Sequence, residues 1–232
     1  MSIEELVYNE IDKIQNELEF DSIYQYNGIT VPRVSYILKS IVPMYIVKWA
    51  NSLGFKRISY DKRMEALADE GTIVHNQIDS YLKGNSVESP SNGFKSFMIW
   101  LNNLREFKVL GNEMTLSCKY FGGTLDLLIT VNGRNYIVDF KTSKNVTDKH
   151  FMQLSAYKIL CEANNMPNID GLVILQLNKE VPSFNEYMLR FDICYLNDVY
   201  LLARYNFTTL LLYYYYHLKY EKEFEEFKKR VK

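Results

Sequence analysis

Apolar residues recur at helical spacing through roughly the first hundred positions and at strand spacing after them. Ile3, Leu6, Ile11, Ile14 and Leu18 predict an amphipathic helix over 3–18. Gly28 to Pro32 breaks that pattern, and a second helical stretch follows from about Val34. Tyr60 to Leu82 reads as a long helical region stopped by Lys83-Gly84. Ser91 to Phe107 reads as another, carrying Phe94, Phe97, Met98, Leu101 and Leu104. The period then changes: Glu113 to Tyr120, Thr124 to Val131 and Asn135 to Lys141 predict three strands. Asn132-Gly133 between the last two is a strong hairpin signal. Asp148 to Asn165 returns to helix, Leu172 to Leu177 reads as a buried strand, and Tyr187 to Ile193 as another. From Tyr195 the chain is a long helix ending in a charged run. This order predicts an α/β chain, a mixed sheet with an antiparallel hairpin flanked by helices. No repeat or low-complexity linker divides it, so 1–232 is expected to be a single domain. Within it, 1–110 is mainly helical, 111–193 is the α/β core and 194–232 is a C-terminal helical segment.

Composition narrows the function classes. With 47% hydrophobic and 24% charged residues the chain is globular, neither disordered nor fibrous. A formal net charge of -1 argues against a broadly basic nucleic-acid coat but leaves room for a local basic channel. Aromatic residues make up 15%, 19 of them tyrosines, which serve equally to stack on bases or to fill a core with a polar edge. Cys118, Cys161 and Cys194 stand alone with no C-x-x-C pair, so zinc ribbons and cysteine-ligated iron–sulfur clusters are not expected. A disulfide framework is not expected either, which points to a reducing compartment. The acidic start, Ser2-Ile3-Glu4-Glu5, lacks a signal-peptide pattern, and the apolar run Leu210 to Tyr216 is too short to span a bilayer. The expectation is a cytoplasmic, non-secreted protein with no membrane partner.

The hairpin carries the chemistry. In the register that a two-residue turn imposes, Val131 faces Arg134 and, by the same alignment, Asp126 faces Asp139. A four-residue loop closed by Thr130 and Asn135 gives the same alignment. Lys141, two residues past Asp139, projects from the same face, while Leu125, Leu127 and Ile129 face Phe140, Val138 and Tyr136 on the other. Like charges directly opposed across a sheet are unfavourable unless a cation lies between them. A hard divalent ion with oxygen ligands, Mg2+ or Mn2+, answers that need. The competing reading is a solvated Asp–Lys pair on an exposed hairpin edge.

These residues resemble a known family. Gly123-Thr124-Leu125-Asp126 followed by Ile137-Val138-Asp139-Phe140-Lys141-Thr142 resembles the core of the PD-(D/E)xK nuclease superfamily. Gln153-Leu154-Ser155-Ala156-Tyr157 stands where the RecB-like branch carries Q-x-x-x-Y, and Gly71-Thr72-Ile73-Val74-His75 is similar to its upstream G-x-x-x-H segment. Glu113 takes the place of the acidic residue on the first core strand. The resemblance covers residues 71–157 and thins elsewhere, where Ile29 to Ser35 faintly resembles a Pro-Ser-Val-Thr segment of phage and mitochondrial members. The four cysteines of the cluster-bearing branches have no counterpart here. That leaves the cluster-free phage and mitochondrial genome-maintenance exonucleases as the similar ones.

The resemblance implies a restriction-endonuclease-like core and assigns roles. Asp126 and Asp139 would bind metal with the Phe140 carbonyl and His75, Lys141 would orient water or neutralise developing charge, and Glu113 would hold metal-bound water. Gln153 and Tyr157, four apart on one helix face, would hold Lys141 or the DNA backbone. The alternatives are a core tyrosine and a surface or core histidine. Lys56, Arg57, Lys62 and Arg63, with Lys144 and Lys149, are candidate phosphate contacts or simply solvated charges. Tyr213 to Tyr216 wraps one helical turn and offers either base stacking or, as the stronger expectation, packing. The leading expectation is a metal-dependent exonuclease on single-stranded DNA or DNA ends, in phage or bacterial recombination or repair. Any helicase or annealing protein would be a separate partner. A structure-specific or restriction-like endonuclease, and a non-catalytic nucleic-acid-binding subunit, are the alternatives. Oligomeric state is left open.

Overall fold

The computed structural model describes residues 2–42 and 44–231; Met1, Pro43 and Lys232 lie outside the described residues. The chain runs through α1 (Ile3–Asp12), a small hairpin of β1 (Gln25–Tyr26) and β2 (Ile29–Thr30), then α2 (Val34–Lys39), α3 (Met44–Phe55), α4 (Tyr60–Leu82) and α5 (Asn92–Asn103). There follow β3 (Phe107–Ser117), β4 (Gly122–Val131), β5 (Arg134–Lys141), α6 (Asp148–Ala163), β6 (Gly171–Leu177), β7 (Phe184–Arg190) and α7 (Cys194–Val231). Among the described residues no helix is long and apolar enough to cross a membrane.

The last five strands form one sheet in the order β3-β4-β5-β6-β7. Neighbours are antiparallel except β5 and β6, which are parallel because α6 carries the chain back between them. The β4–β5 turn has Asn132 at φ 49 and Gly133 at φ 75, both left-handed, as the hairpin signal requires. Its register is the expected one from Val131↔Arg134 to Leu127↔Val138.

Helices cover both faces of the sheet. On one, Leu128, Ile137, Leu172 and Ile174 pack against α1, α2, α6 and α7 through Ile11, Ile37, Leu154, Leu160, Phe207 and Tyr215. On the other, Leu127, Ile129, Val138, Phe140, Val173 and Leu175 meet Val74 and Ile78 of α4 and Phe97 and Trp100 of α5. Central strands buried on both sides need apolar residues at successive positions, which explains the near-continuous run in β5 and β6. The hairpin is therefore central to the sheet rather than an exposed edge.

The structure departs from the pattern in several places. The first helix ends at Asp12, and a single 3-10 turn, Gln15–Glu17, follows, because buried Gln15 donates its side-chain amide to the Lys119 carbonyl at 2.6 Å. The helix expected over 91–107 stops at Asn103, and Phe107 already opens β3; the strand expected from Glu113 thus starts earlier and ends at Ser117. The final strand is shifted back, to Phe184–Arg190. The β1–β2 hairpin escaped the periodic reading, although Asn27-Gly28 at φ 50 and 78 is the same turn chemistry as Asn132-Gly133. Leu125, expected beside Leu127 and Ile129, joins the opposite core with Leu128 and Ile137. Its strand loses regular alternation at the intervening Asp126.

A close approach fixes Gly123. A Cβ placed there would lie 2.8 Å from Cε1 of Tyr157 and 3.2 Å from a Val34 methyl. Gly123→Ala is expected to cost about 1–3 kcal/mol by overpacking and to displace the Tyr157 ring. A urea titration with Gly122→Ala alongside checks this, since the latter instead meets Tyr24.

Candidate active site

Asp126 sits where two ladders lapse. The β3–β4 pairing runs through Asn112↔Leu127 and resumes at Met114↔Leu125, skipping Glu113 and Asp126. The β4–β5 pairing starts only at Leu127↔Val138, so Asp126 and Asp139 are not a ladder pair. Instead Asp126 Oδ2 accepts the Phe140 backbone N–H at 2.7 Å, the carboxylate taking the place of a strand carbonyl. Opposite it, Glu113 adopts φ 46, a costly conformation for a residue with a side chain, which aims its carboxyl at the same point. Asp139, expected directly across from Asp126, is thus not its ladder partner, and the carboxyl that shares a ligand cluster with Asp126 is Glu113.

His75 arrives from α4. Its Nδ1 lies 3.5 Å from Asp126 Oδ1 and 3.6 Å from Glu113 Oε1, beyond ordinary hydrogen-bond length. One ligand atom from each of His75, Glu113 and Asp126 falls within 4.8 Å of the others. Gly71, four residues before His75, stands beside the end of β5, where a Cβ would meet Thr142 Oγ1 at an ordinary contact distance of 3.4 Å. The His75 ring also packs edge-on against Phe140, centroids 5.7 Å apart.

The other half of the site is a chain of contacts. Asp139 is fully buried, and Lys141 Nζ lies 2.6 Å from its Oδ2. Neither Asp139 oxygen has a hydrogen-bond donor of ordinary geometry, so the carboxylate is held by charge alone. Lys141 Nζ donates to Gln153 Oε1 at 3.1 Å, and Gln153 Nε2 donates to Tyr157 Oη at 2.7 Å. Gln153 and Tyr157, spaced one turn apart on α6, therefore both reach the site, and buried Tyr157 is at once packing and polar partner.

The electrostatics follow from burial and crowding. Burial first, and then the Asp139 charge, push the Asp126 carboxyl up to about 7. Burial alone would lower His75, but the Glu113 contact and the charges of Asp126 and Asp139 outweigh it and hold it at about 8. For Lys141 burial also works downward, and Asp139 and Asp126 override it, so the ammonium stays charged. Burial raises the Tyr157 hydroxyl well above its ordinary value.

A divalent cation fits this donor set. The ligand atoms of His75, Glu113 and Asp126 lie close enough to meet on one ion, and buried Asp139, already paired with Lys141, adds its charge beside them. Carboxylate-rich ligands with one imidazole suit Mg2+ or Mn2+.

The metal-free protein should show the crowding as a pH effect on stability. Asp126 keeps its proton to about pH 7 when folded but has an ordinary value of 3.8 when unfolded, so its contribution is lost as pH rises between them. His75, raised from 6.5 to about 8, adds a loss as pH rises through that range. Asp126→Asn is expected to melt several degrees above wild type at pH 8 and to show no such advantage near pH 4 (about 3 °C per kcal/mol at this size). Thermal melts in EDTA check this, and a gap that does not open with pH would contradict it.

The basic candidates divide. Arg63 and Lys144 line a groove of about 1,010 Å³ that begins at Thr142 and Ser143, just past Lys141, and is walled by Trp49, Glu70, Val74 and Lys179. Lys144 is exposed, with Glu180 3.6 Å away. Lys56, Arg57 and Lys62 are exposed but do not line the groove. Lys149 has another occupation: its ammonium donates to the carbonyls of Leu38 and Ile41, closing the end of α2. Sequence reasoning missed a row of hydroxyls beside the acids. Tyr24 Oη lies 3.0 Å from Thr124 Oγ1, itself 3.1 Å from Thr115 Oγ1, two residues from Asp126 on the same strand. Thr124-x-Asp126 was the available signal; Tyr24, a hundred residues away, gave none.

A family model described as the PD-(D/E)XK nuclease superfamily matches residues 93–232. No curated protein matches the chain. Among solved structures, it is similar to a protein designated SSO0001, at 17% identity over 86% of this chain and 84% of that one, TM-score 0.37. It is similar to an alkaline exonuclease from Laribacter hongkongensis, at 10% identity over 64% and 83%, TM-score 0.33. A phage-related exonuclease from Haemophilus somnus 129PT is 16% identical over 83% of this chain and 96% of that one, TM-score 0.33.

Proposed function

The chain belongs to the PD-(D/E)XK nuclease superfamily, and from that premise we propose a divalent-metal-dependent DNA exonuclease acting on single strands or DNA ends. The observation that carries the reading is the convergence of His75, Glu113, Asp126, Asp139, Lys141, Gln153 and Tyr157, from five elements, with the ligand atoms of His75, Glu113 and Asp126 within 4.8 Å of one another. In this reading Asp126, Asp139 and His75 hold Mg2+ or Mn2+ with the Phe140 carbonyl, and Glu113 supports them. The ion, when bound, acidifies water and neutralises charge on the scissile phosphate.

The chain's own residues do the rest. Lys141 acts as an ammonium, because its carboxylate neighbours keep it protonated; it neutralises charge on the phosphoryl oxygens rather than removing a proton. Asp139 and Gln153 fix that ammonium from two sides, so little reorganisation is needed as charge develops. Tyr157 locks the Gln153 amide in the orientation that presents oxygen to Lys141. The groove past Thr142 supplies a path for a strand, with Trp49 as a face for a base and Arg63 and Lys144 for phosphates. The exonuclease assignment rests on the pairing of the His75 segment with Gln153 and Tyr157, the elements by which the sequence resembles the RecB-like branch.

The test uses 5′- and 3′-end-labelled linear single-stranded DNA beside a circular single strand, with Mg2+, Mn2+ or EDTA. Metal-dependent loss of linear DNA with circles intact is the expected result. Cleavage of circles at a comparable rate would replace it with an endonuclease.

A further inference from the structure

Helix α7 is apolar on two sides. One side is buried in the body through Tyr200, Phe207, Leu211 and Tyr215. The other bears Tyr213, His217, Tyr220, Phe224, Phe227 and Val231, all exposed, at alternating spacings of four and three residues. That spacing keeps one stripe in line along a helix and is the spacing of a helix that packs on another helix. It spans about 27 Å at 1.5 Å per residue, and from Glu221 to Val231 every residue is exposed. Its rings already lie together as a surface: Tyr213 is stacked on His217, and Tyr220 on Phe224, with interplanar angles of 7° and 8°. Tyr220 is 62% exposed, Phe227 57% and Val231 69%, a contiguous apolar patch that asks for a cover.

The flanking charges say what the cover is. Acids and bases alternate on each flank, Glu221 and Lys228 on one, Glu223 and Arg230 on the other. Because acids and bases are interspersed there, neither a polyanion such as a phosphate backbone nor a polycation finds a surface of one sign; a second copy of the same segment, turned end for end, finds a matching one. We propose that this protein dimerises through the distal part of α7, antiparallel, about a two-fold axis between Glu225 and Glu226. In that register Phe224 meets Phe227 of the second copy and Tyr220 meets its Val231. The same alignment sets Glu223 against Arg230 and Glu221 against Lys228 of the second copy, so apolar layers and both charged flanks match at once. Within one chain these groups hold surface neighbours, such as Arg230 with Glu226 at 3.9 Å and half-buried Lys219 with Glu223 at 3.8 Å, which yield at little cost.

Sedimentation equilibrium of the full chain from about 2 to 200 μM reads the association directly. Wild type should show a dimer mass in that range. Phe224→Glu with Phe227→Glu should be monomeric with unchanged thermal unfolding and unchanged DNA cleavage, since both residues point to solvent. Arg230→Glu should weaken association about tenfold or more, and adding Glu223→Arg should restore it, as a repulsive pair is replaced by the reversed attractive one. A wild type that stays monomeric overturns the proposal. So does a dimer that survives the double glutamate variant, or a charge swap that fails to rescue.

Discussion

Asp126→Asn is expected to abolish DNA cleavage while making the metal-free protein more stable. Burial first, and then the Asp139 charge, push this carboxyl up to about 7, so that at pH 8 it carries a charge in an unfavourable place. Asparagine keeps the carbonyl that accepts the Phe140 N–H at 2.7 Å and removes the charge whose desolvation is uncompensated. Cleavage should fall by about 10³-fold, the scale on which loss of a preorganised charged group is felt. Stability should rise by about 1–2 kcal/mol, the usual size of the trade between a strained site and its function. Single-turnover cleavage and chemical denaturation in EDTA measure the two together. A variant that is inactive because it is unfolded would show the opposite sign in the second measurement.

Lys141→Ala should be costly in both respects. Its ammonium is the one cation against the Asp139 carboxylate among the described residues, and Asp139 has no other donor. Removing it strands a buried charge, with an expected loss of about 3–5 kcal/mol. Cleavage should fall even where the variant remains folded, since Gln153 and Tyr157 then orient nothing. Asp139→Leu added to Lys141→Met should recover most of the stability and none of the activity, because a matched apolar pair replaces a buried ionic one without a metal or phosphate partner. If the single alanine variant unfolds at the same urea concentration as wild type, the pair is not the compensated unit described above.

Much of this was legible in the chain because the hairpin is local. Asn132-Gly133 fixes a turn, the turn fixes a register as far as Leu127↔Val138, and Asp126, Asp139 and Lys141 follow at the end of that register in one neighbourhood. The four-residue spacings 71–75 and 153–157 likewise survive into the fold, since a helix keeps such pairs on one face. What was not legible depends on contacts far apart in sequence. The lapse of both ladders at Asp126 needs the Phe140 N–H on one side and a left-handed Glu113 on the other, and no periodic pattern encodes a bulge. Glu113 accordingly read as a charged residue opening a strand, whereas it lies inside one. Lys149 looked like any exposed cation until the end of α2 was seen to stand over it. The tyrosines are now partly placed: Tyr24 and Tyr157 border the site, Tyr215 fills the core and donates to the Tyr120 carbonyl, and Tyr213 and Tyr220 belong to the exposed stripe.

The central claim is that His75, Asp126 and Asp139 together hold a divalent ion. Titration of Mn2+ into the EDTA-stripped protein at about pH 8, followed by calorimetry in two buffers of different ionisation enthalpy, tests it most directly. Wild type should bind with proton release, at pH 8 mainly from His75 and nearer pH 7 also from Asp126, and binding should weaken as pH falls through 7. Asp126→Asn should lose that binding. Binding of equal strength in wild type and Asp126→Asn, or binding that takes up no part of its pH dependence from this range, would contradict the account.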